Sequence, residues 1–180
     1  MIRKTIFVII LFLSIQKMTA TTPIWVYTPI NQTGISCKIS QTYSTNSSND
    51  LILYQAYLNS DSSIVQSVSY YDFKRTDYSM APEYQNDTPL SLVVKLYLQT
   101  LSGTLESVNN ITLYGGGNLI NGKEVAISYI NTENNIPEMM FYRVYYWQGK
   151  LYIVSIKGTI QDLNTLVEFK NTIFNSLYAY

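Results

Sequence analysis

The chain has 180 residues, with twelve basic and twelve acidic side chains, one cysteine and no histidine. The absence of histidine excludes Ser-His-Asp and Cys-His nucleophile systems and the common zinc and copper sites. One cysteine, Cys37, cannot form an internal disulfide, so packing must stabilise the fold. For Cys37 itself, the residue type favours a small buried hydrophobe over a reactive thiol.

The first twenty residues have the three-part pattern of a secretory signal peptide. Arg3 and Lys4 form a basic start, residues 6–13 are almost entirely apolar, and Ala20 ends a small-residue exit. The apolar run is too short for a permanent membrane anchor, and the alternative is a buried amino-terminal helix. We therefore expect cleavage after Ala20 and export of residues 21–180, to the periplasm or beyond, as one domain without a membrane anchor.

The charge of the expected mature chain argues against one class of partner. Residues 1–20 contain three basic residues and no acidic residue, which leaves nine basic and twelve acidic residues in positions 21–180. Binding to nucleic acid is built mainly from Lys and Arg contacts with phosphates. The sequence therefore predicts no nucleic-acid partner.

The residue pattern in the first half of the expected mature chain predicts strands. Alternation of apolar and polar residues predicts a short strand at 35–39, and the polar block 42–50 predicts a surface loop. Apolar runs at 51–58 and 64–73 are separated by a five-residue segment rich in turn formers. This spacing predicts a β-hairpin.

Two segments have helical spacing. Thr88 is a good N-cap, Pro89 suits the first helical position, and Gly103 stands where that helix would stop. A second helix is predicted within residues 162–180, with Asp162 capping or favourably charging its first turn. Strands and helices that are segregated in this way predict an α+β fold with a central, mainly antiparallel sheet.

Three consecutive glycines follow a short predicted strand at 111–114. A triple glycine suggests a phosphate-binding loop, but no Gly-Lys-Ser/Thr follows Gly115–Gly117 and no helix begins directly after it. A β-turn or bulge is the favoured interpretation.

Residues 121–158 predict three consecutive strands with apolar side chains on both faces. A two-residue turn at Gln148-Gly149 would place Trp147 opposite Lys150, Tyr145 opposite Tyr152 and Arg143 opposite Val154. A sheet that is apolar on both faces must be covered on both, so we expect the two helices to flank it.

Candidate binding residues lie in the same three strands. Pairing Ala126 with Arg143 would place Glu124 diagonally beside Arg143, either as a binding-site charge couple or as a modest ion pair. Tyrosines in the strands suit interaction surfaces, although half-buried tyrosines are also ordinary strand residues. The candidate binding residues are Glu124, Tyr142, Arg143, Tyr145 and Tyr146.

Four segments resemble the ordered landmarks of the PsbP-like superfamily: GKEV at 122–125, RVYY at 143–146, GKLYIV at 149–154 and FKNTIF at 169–174. The resemblance extends from about Gly34 onward. This superfamily of small αβα-sandwich proteins includes the extrinsic photosystem II subunit and many exported bacterial proteins of unknown role. The resemblance implies a central antiparallel sheet flanked by helices and used as a docking or accessory module. It transfers no functional residue to this chain.

The sequence offers little chemistry. Asp72, Asp77, Glu83 and Asp87 lie in polar segments that do not hold two carboxyl groups in distinct environments, and they lack the spacing of a calcium loop. We therefore expect no catalytic residue, no metal and no cofactor. The leading hypothesis is an exported, non-enzymatic accessory module that binds another envelope or secreted protein. The alternative is a small-ligand-binding or hydrolytic domain with a pocket between the sheet and the helix of residues 88–103.

Overall fold

The computed structural model describes residues 23–30, 34–48, 51–59, 61–73 and 86–180. The predicted signal peptide, and the acidic residues Asp77 and Glu83, lie outside these described residues. In chain order the elements are β1 (Trp25–Pro29), β2 (Ile35–Ser40), β3 (Ser44–Ser48), β4 (Leu51–Tyr57), β5 (Val65–Asp72), α1 (Pro89–Leu101), β6 (Thr104–Gly115), β7 (Asn118–Asn131), β8 (Ile136–Trp147), β9 (Lys150–Thr159), α2 (Leu163–Phe174) and β10 (Tyr178–Ala179). A short 3-10 turn at Ile160–Asp162 leads into α2.

All ten strands belong to one sheet, in the order β1-β2-β10-β6-β7-β8-β9-β5-β4-β3. Neighbouring strands are antiparallel except for β10 and β6, which are parallel. The expected sheet with helices flanking both faces is wrong, because the described residues form a curled mixed sheet with two helices of 13 and 12 residues. Helices of that length cannot cover ten strands, so strands of the curled sheet supply much of the cover themselves.

On the inner face of the curled sheet, side chains of distant strands pack against each other in addition to packing against a helix. Side chains of β2 and of β4–β5, which lie far apart in the strand order, share one buried cluster with α2. The buried side chain of Gln66 on β5 reaches the backbone of β2, where it donates to the Lys38 carbonyl at 2.8 Å and accepts the Ser40 amide at 3.2 Å. One glutamine therefore joins two distant parts of the sheet. Cys37 is buried in this cluster, as expected.

The outer face is covered by α1 only over the centre of the sheet. Val93 and Val94 of α1 pack on a buried cluster from β7, β8 and β9. The predicted start of α1 is confirmed, because the Thr88 hydroxyl accepts the Ser91 amide and Pro89 begins the helix. The helix ends at Leu101, and the left-handed conformation that stops it falls on the following residue, Ser102, with a φ of 49°, one residue before Gly103. Gly103 is required instead for close packing, since a Cβ there would lie 2.6 Å from Ile127 Cγ2.

The second helix is shorter than its predicted segment. It ends at Phe174, after which the Ser176 hydroxyl donates to the Ile173 carbonyl and β10 begins. Asp162 precedes α2 without a side-chain bond to the helix backbone, and its carboxylate instead accepts the hydroxyls of Ser63 and Thr159. Asp162 therefore joins the β4–β5 connection to the start of α2.

The predicted register of β8 and β9 is confirmed, with Trp147 opposite Lys150 and Tyr145 opposite Tyr152. The register of β7 and β8 differs from the prediction by two residues, so Glu124 lies directly opposite Arg143. The loop predicted at 42–50 is wrong, because β3 forms there and pairs with β4. An exposed edge strand buries little side-chain surface, so its polar residues give no alternating signal.

Gly116 and Gly117 form the tight turn between β6, which ends at Gly115, and β7, and this confirms the predicted turn. A Cβ at Gly115 would lie 1.8 Å from the Ala179 carbonyl oxygen, and one at Gly116 would lie 2.7 Å from the Tyr180 carbonyl carbon. Glycine is needed here because the carboxyl-terminal strand lies directly against this turn.

Candidate functional site

Successive side chains of a strand point to opposite faces of the sheet, and this separates the five predicted binding residues onto two faces. Arg143 and Tyr145 point to the inner face with Glu124 of β7, whereas Tyr142 and Tyr146 point outward. The structure therefore joins three of the five residues and leaves the other two apart from them.

Arg143 connects the sheet to the end of α2. Its Nε donates to Glu124 Oε2 at 2.7 Å, its Nη1 donates to the Phe174 carbonyl at 2.8 Å, and its guanidinium lies 4.8 Å from the centre of the Phe174 ring. Lys170 Nζ lies 3.9 Å from the other oxygen of Glu124 and 5.3 Å from the centre of the Phe141 ring. A helix leaves its last carbonyls without helical partners, so this arginine supplies one of them with a donor.

Tyr145 and Tyr142 are both fully buried. The Tyr145 ring occupies the space left by Gly122, where a Cβ would lie 2.6 Å from ring atom Cδ1. Burial raises the pKa of Tyr145, and neighbouring Arg143 partly offsets this rise. Neither ring presents a surface to a partner in this conformation.

Tyr142 lies under α1 with its ring stacked on Tyr97 at a centroid distance of 4.8 Å. The Tyr142 hydroxyl has no hydrogen-bond partner in the structure. Burial raises the pKa of Tyr142, and it raises the pKa of Tyr97 to about 12. The surrounding contacts between α1 and the sheet are apolar side chains of the outer cluster.

Tyr146 is the most exposed of the predicted set and contacts the Phe73 ring edge-on at 5.9 Å. Nearby, Lys150 Nζ contacts the Tyr70 hydroxyl and lies 3.7 Å from Asp72 Oδ1. The Tyr70 hydrogen bond raises the pKa of Lys150. Asp72, considered for acid/base chemistry from the sequence, is thus in a half-exposed ion pair.

A buried carboxylate that the sequence analysis missed lies at the other end of β8. Glu138 accepts the hydroxyl of Tyr129 on one oxygen and the side-chain amide of Asn131, at 2.7 Å, on the other. Lys157 Nζ lies 3.7 Å from the same carboxylate. Burial, followed by the contact with Glu138, raises the pKa of Tyr129. Both oxygens of the Glu138 carboxylate accept hydrogen bonds, so this carboxylate is held in place by a network of side chains within the sheet.

A surface of large exposed side chains lies on the outer face beyond the reach of α1. We call it the outer aromatic surface, and it consists of Tyr27, Tyr114, Leu119, Tyr178 and Tyr180. Their exposed fractions run from 51% for Tyr180 to 71% for Tyr114. Sequence reasoning missed this surface because it joins distant parts of the chain through the two-residue strand β10.

Strand pairing explains why these side chains are neighbours. Tyr114 lies directly opposite Leu119 across β6 and β7. The parallel pair of Ala179 with Gly115 places Tyr178 beside Tyr114, and Tyr178 stacks on Tyr180 at a centroid distance of 6.1 Å. Tyr178 is also opposite Ser36 of β2, and Tyr27 follows one strand further on, opposite Lys38. The row therefore crosses five adjacent strands.

The rim of the outer aromatic surface is basic. Lys38 Nζ lies 5.4 Å from the centre of the Tyr27 ring, and Lys123 Nζ donates to Asn110 Oδ1 at 3.0 Å. Lys38 and Lys123 share the outward face with the aromatic side chains. No acidic side chain occupies the outward positions of the described strands β1, β2 and β10, or of β6–β7 between Val108 and Val125.

Two features are absent from the residues that the structure describes. In that part of the chain, no group of three or more His, Cys, Asp or Glu side chains is arranged to hold a metal ion. None of the helices described there combines the length and apolar character needed to cross a membrane.

Comparisons with known proteins establish similarity of fold. The structure is similar to CyanoP, the cyanobacterial PsbP of Synechocystis sp. PCC 6803, with a TM-score of 0.57 and 10% identity over 93% of this chain and 99% of CyanoP. The Ran-binding protein Mog1p of Saccharomyces cerevisiae matches with a TM-score of 0.46 and 7% identity over 88% of this chain and 96% of Mog1p. LpqN of Mycobacterium tuberculosis, described as involved in cell envelope biogenesis, matches with a TM-score of 0.42 and 12% identity over 88% and 91% of the two chains.

No family model and no curated protein matches the sequence itself. The match to CyanoP confirms the predicted resemblance at the level of the fold, which is PsbP-like.

Proposed function

We propose that this chain of PsbP-like fold is an exported, non-enzymatic accessory module that binds another envelope or secreted protein through its outer aromatic surface. The observation that carries the proposal is the row of exposed Tyr and Leu side chains across β1, β2, β10, β6 and β7. Export is inferred from the signal-peptide pattern of residues 1–20.

Two properties of the surface support binding to a protein. Exposed tyrosines give large contact area and a hydrogen-bonding group at low cost in side-chain entropy, which is why aromatic residues are enriched in interfaces. Contiguous apolar surface that is rimmed by polar residues is also unusual on a monomer without a partner.

The basic rim specifies the chemistry of that partner. Lys38 lies beside the Tyr27 ring, and Lys123 lies on the same outward face, four residues along β7 from Leu119. The described strands carry no acidic residue at the outward positions of this surface. Complementary charge favours encounter with a surface that carries carboxylates around an apolar centre. The proposed partner is therefore a protein with an acidic rim around an apolar recess.

A photo-crosslinking residue placed at Tyr114 or Tyr178 in the native cell tests the proposal. Both sites should capture the same protein, and an additional Leu119→Ser change should reduce that capture. A crosslinker at Tyr43, an exposed residue between β2 and β3 whose ring contacts Tyr54 of β4 at a centroid distance of 5.5 Å, provides the matched control. Equal capture from Tyr43, or capture unaffected by Leu119→Ser, would count against this surface.

One observation favours the second candidate, a small-ligand site between α1 and the sheet. The buried Tyr142 hydroxyl lacks a partner, and a polar ligand group or a water molecule would satisfy it. Ligand screening by thermal shift should then give hits that are lost in Tyr142→Phe. Hits that persist in that variant would place the binding elsewhere.

A further inference from the structure

Strand β6 has a long edge that no described strand covers. On one side it pairs with β7 from Thr104 to Gly115. On its other side, β10 meets it at a single pair, Ala179 with Gly115, and no further described strand pairs with it. Over residues 104–113, every second residue therefore directs its backbone N–H and C=O away from the sheet without a strand partner.

From Ser107 to Leu113 this edge lacks the usual protection against pairing. Proteins guard exposed edges with lysines, prolines, bulges or short strands. β6 has one bulge, between Leu105 and Ser107, but neither a charged residue nor a proline from Ser107 to Leu113. The terminal strands β1 and β3 have five residues each, and β1 ends in Pro29. All side chains from Thr104 to Asn110 are exposed, so nothing on the described chain shields the edge.

We propose that β6 pairs with β6 of a second copy of this chain, antiparallel about a two-fold axis near Asn109. Two identical strands related by such an axis run antiparallel with matching faces, so Val108 would face Asn110 of the other copy and Ser107 would face Ile111. Glu106, the only charged residue of β6, lies at the bulge between Leu105 and Ser107 and therefore falls outside the regular pairing of residues 107–111. The pairing opposes no like charges, and it stops before Tyr114, where β10 begins to cover the edge.

The proposed dimer is independent of the partner proposed for the outer aromatic surface. One pair of strands gives a contact that is smaller than a standard interface, so the dimer should form in a concentration-dependent manner. Purified protein alone is sufficient to detect it, whereas the outer aromatic surface is tested with a partner. Failure of one proposal therefore leaves the other standing.

The first experiment measures mass by sedimentation velocity over a wide range of protein concentration. The wild-type mass should rise towards that of a dimer, whereas the double variant Val108→Lys and Asn110→Lys should remain monomeric, because the pairing places its new charges opposite each other. The matched control carries Thr45→Lys and Ser47→Lys on exposed positions of β3 and should behave as wild type. Thermal melts followed by circular dichroism check that each variant is folded.

Three results would overturn the proposal: a wild-type chain that is monomeric up to its solubility limit, a β6 variant that dimerises as well as wild type, or an equal loss of dimer in the β3 control.

A second experiment tests the register. Asn109→Cys would bring two thiols together at the axis, at a Cα separation of about 4.5–5.5 Å that a disulfide can span. Mild oxidation should then give a covalent dimer, whereas Asn164→Cys on the exposed side of α2 should not. Cys37 is buried and its pKa is raised to about 12, so it should not interfere. Equal crosslinking of the two variants would contradict pairing through β6.

Discussion

Arg143 of β8 lies directly opposite Glu124 of β7 and joins that carboxylate to the backbone carbonyl of Phe174 at the end of α2. The ion pair therefore belongs to a three-part contact between two strands and a helix. An ion pair confined to the surface of a sheet would contribute little to stability. The additional carbonyl and ring contacts give Arg143 a larger structural role than its charge alone.

Replacing Arg143 by Met should lower the free energy of unfolding by about 1–3 kcal/mol, because the change removes charge-assisted hydrogen bonds to Glu124 and Phe174. Urea unfolding measures this loss. The conservative Glu124→Gln change keeps an acceptor for Arg143 and should cost less. A midpoint for Arg143→Met equal to that of wild type would show that these contacts do not hold α2 in place.

Replacing Gln66 by Leu should lower the free energy of unfolding by about 2–5 kcal/mol, because the buried Ser40 amide and the partly buried Lys38 carbonyl of β2 lose their partner. Gln55→Leu on the adjacent strand β4 makes the same chemical change at a partly buried position and should alter stability by less than about 1 kcal/mol. Equal losses in the two variants would indicate that the bonds from Gln66 to β2 do not close the curled sheet.

Tyr142→Phe and Tyr129→Phe should change stability in opposite directions. The Tyr142 hydroxyl is buried without a partner, so its removal should raise the free energy of unfolding by about 1 kcal/mol. The Tyr129 hydroxyl donates to buried Glu138, and its removal should cost about 1–3 kcal/mol. Chemical unfolding of both variants measures the sign of each change in the free energy of unfolding. A loss in Tyr142→Phe would reveal a partner for that hydroxyl, as the small-ligand candidate requires.

Stability should fall at alkaline pH because buried tyrosines resist ionisation. Burial raises the pKa of Tyr97 from 10.0 to about 12, so the unfolded chain loses this proton first. The contribution of the protonated Tyr97 to the free energy of unfolding is fully present below pH 10, and it is lost as the pH rises from 10 towards 12. Urea midpoints across this range should decline less steeply in Tyr97→Phe than in wild type. Parallel profiles for the two proteins would contradict a buried Tyr97 hydroxyl.

Local features of the sequence predicted local structure well. Thr88 and Pro89 specify the start of α1 through a backbone hydrogen bond and a fixed φ, which involve only neighbouring residues. The Gln148-Gly149 turn sets the register of β8 and β9 because a two-residue turn leaves one pairing. The longer connection between β7 and β8 leaves that register free, and the prediction there differed by two residues.

Features that depend on distant residues were not predictable in this way. The curl of the sheet depends on Gln66 meeting β2 across the core, and a buried glutamine has no periodic signal that distinguishes it from a surface one. The outer aromatic surface depends on β10, whose two residues are too few to show alternation. The candidate residues of β8 were chosen for their residue types, but successive side chains of a strand point to opposite faces, so the candidates lie on both faces of the sheet.

The most direct test of the central claim is the affinity of the crosslinked partner, once purified, for wild-type protein and for Tyr178→Ser. Loss of an aromatic side chain at the centre of an interface typically costs about 2 kcal/mol or more, so the account predicts binding weakened by about thirtyfold. Tyr43→Ser, outside the outer aromatic surface, should bind as wild type does. Equal affinity of the wild-type and Tyr178→Ser proteins would contradict binding through the outer aromatic surface.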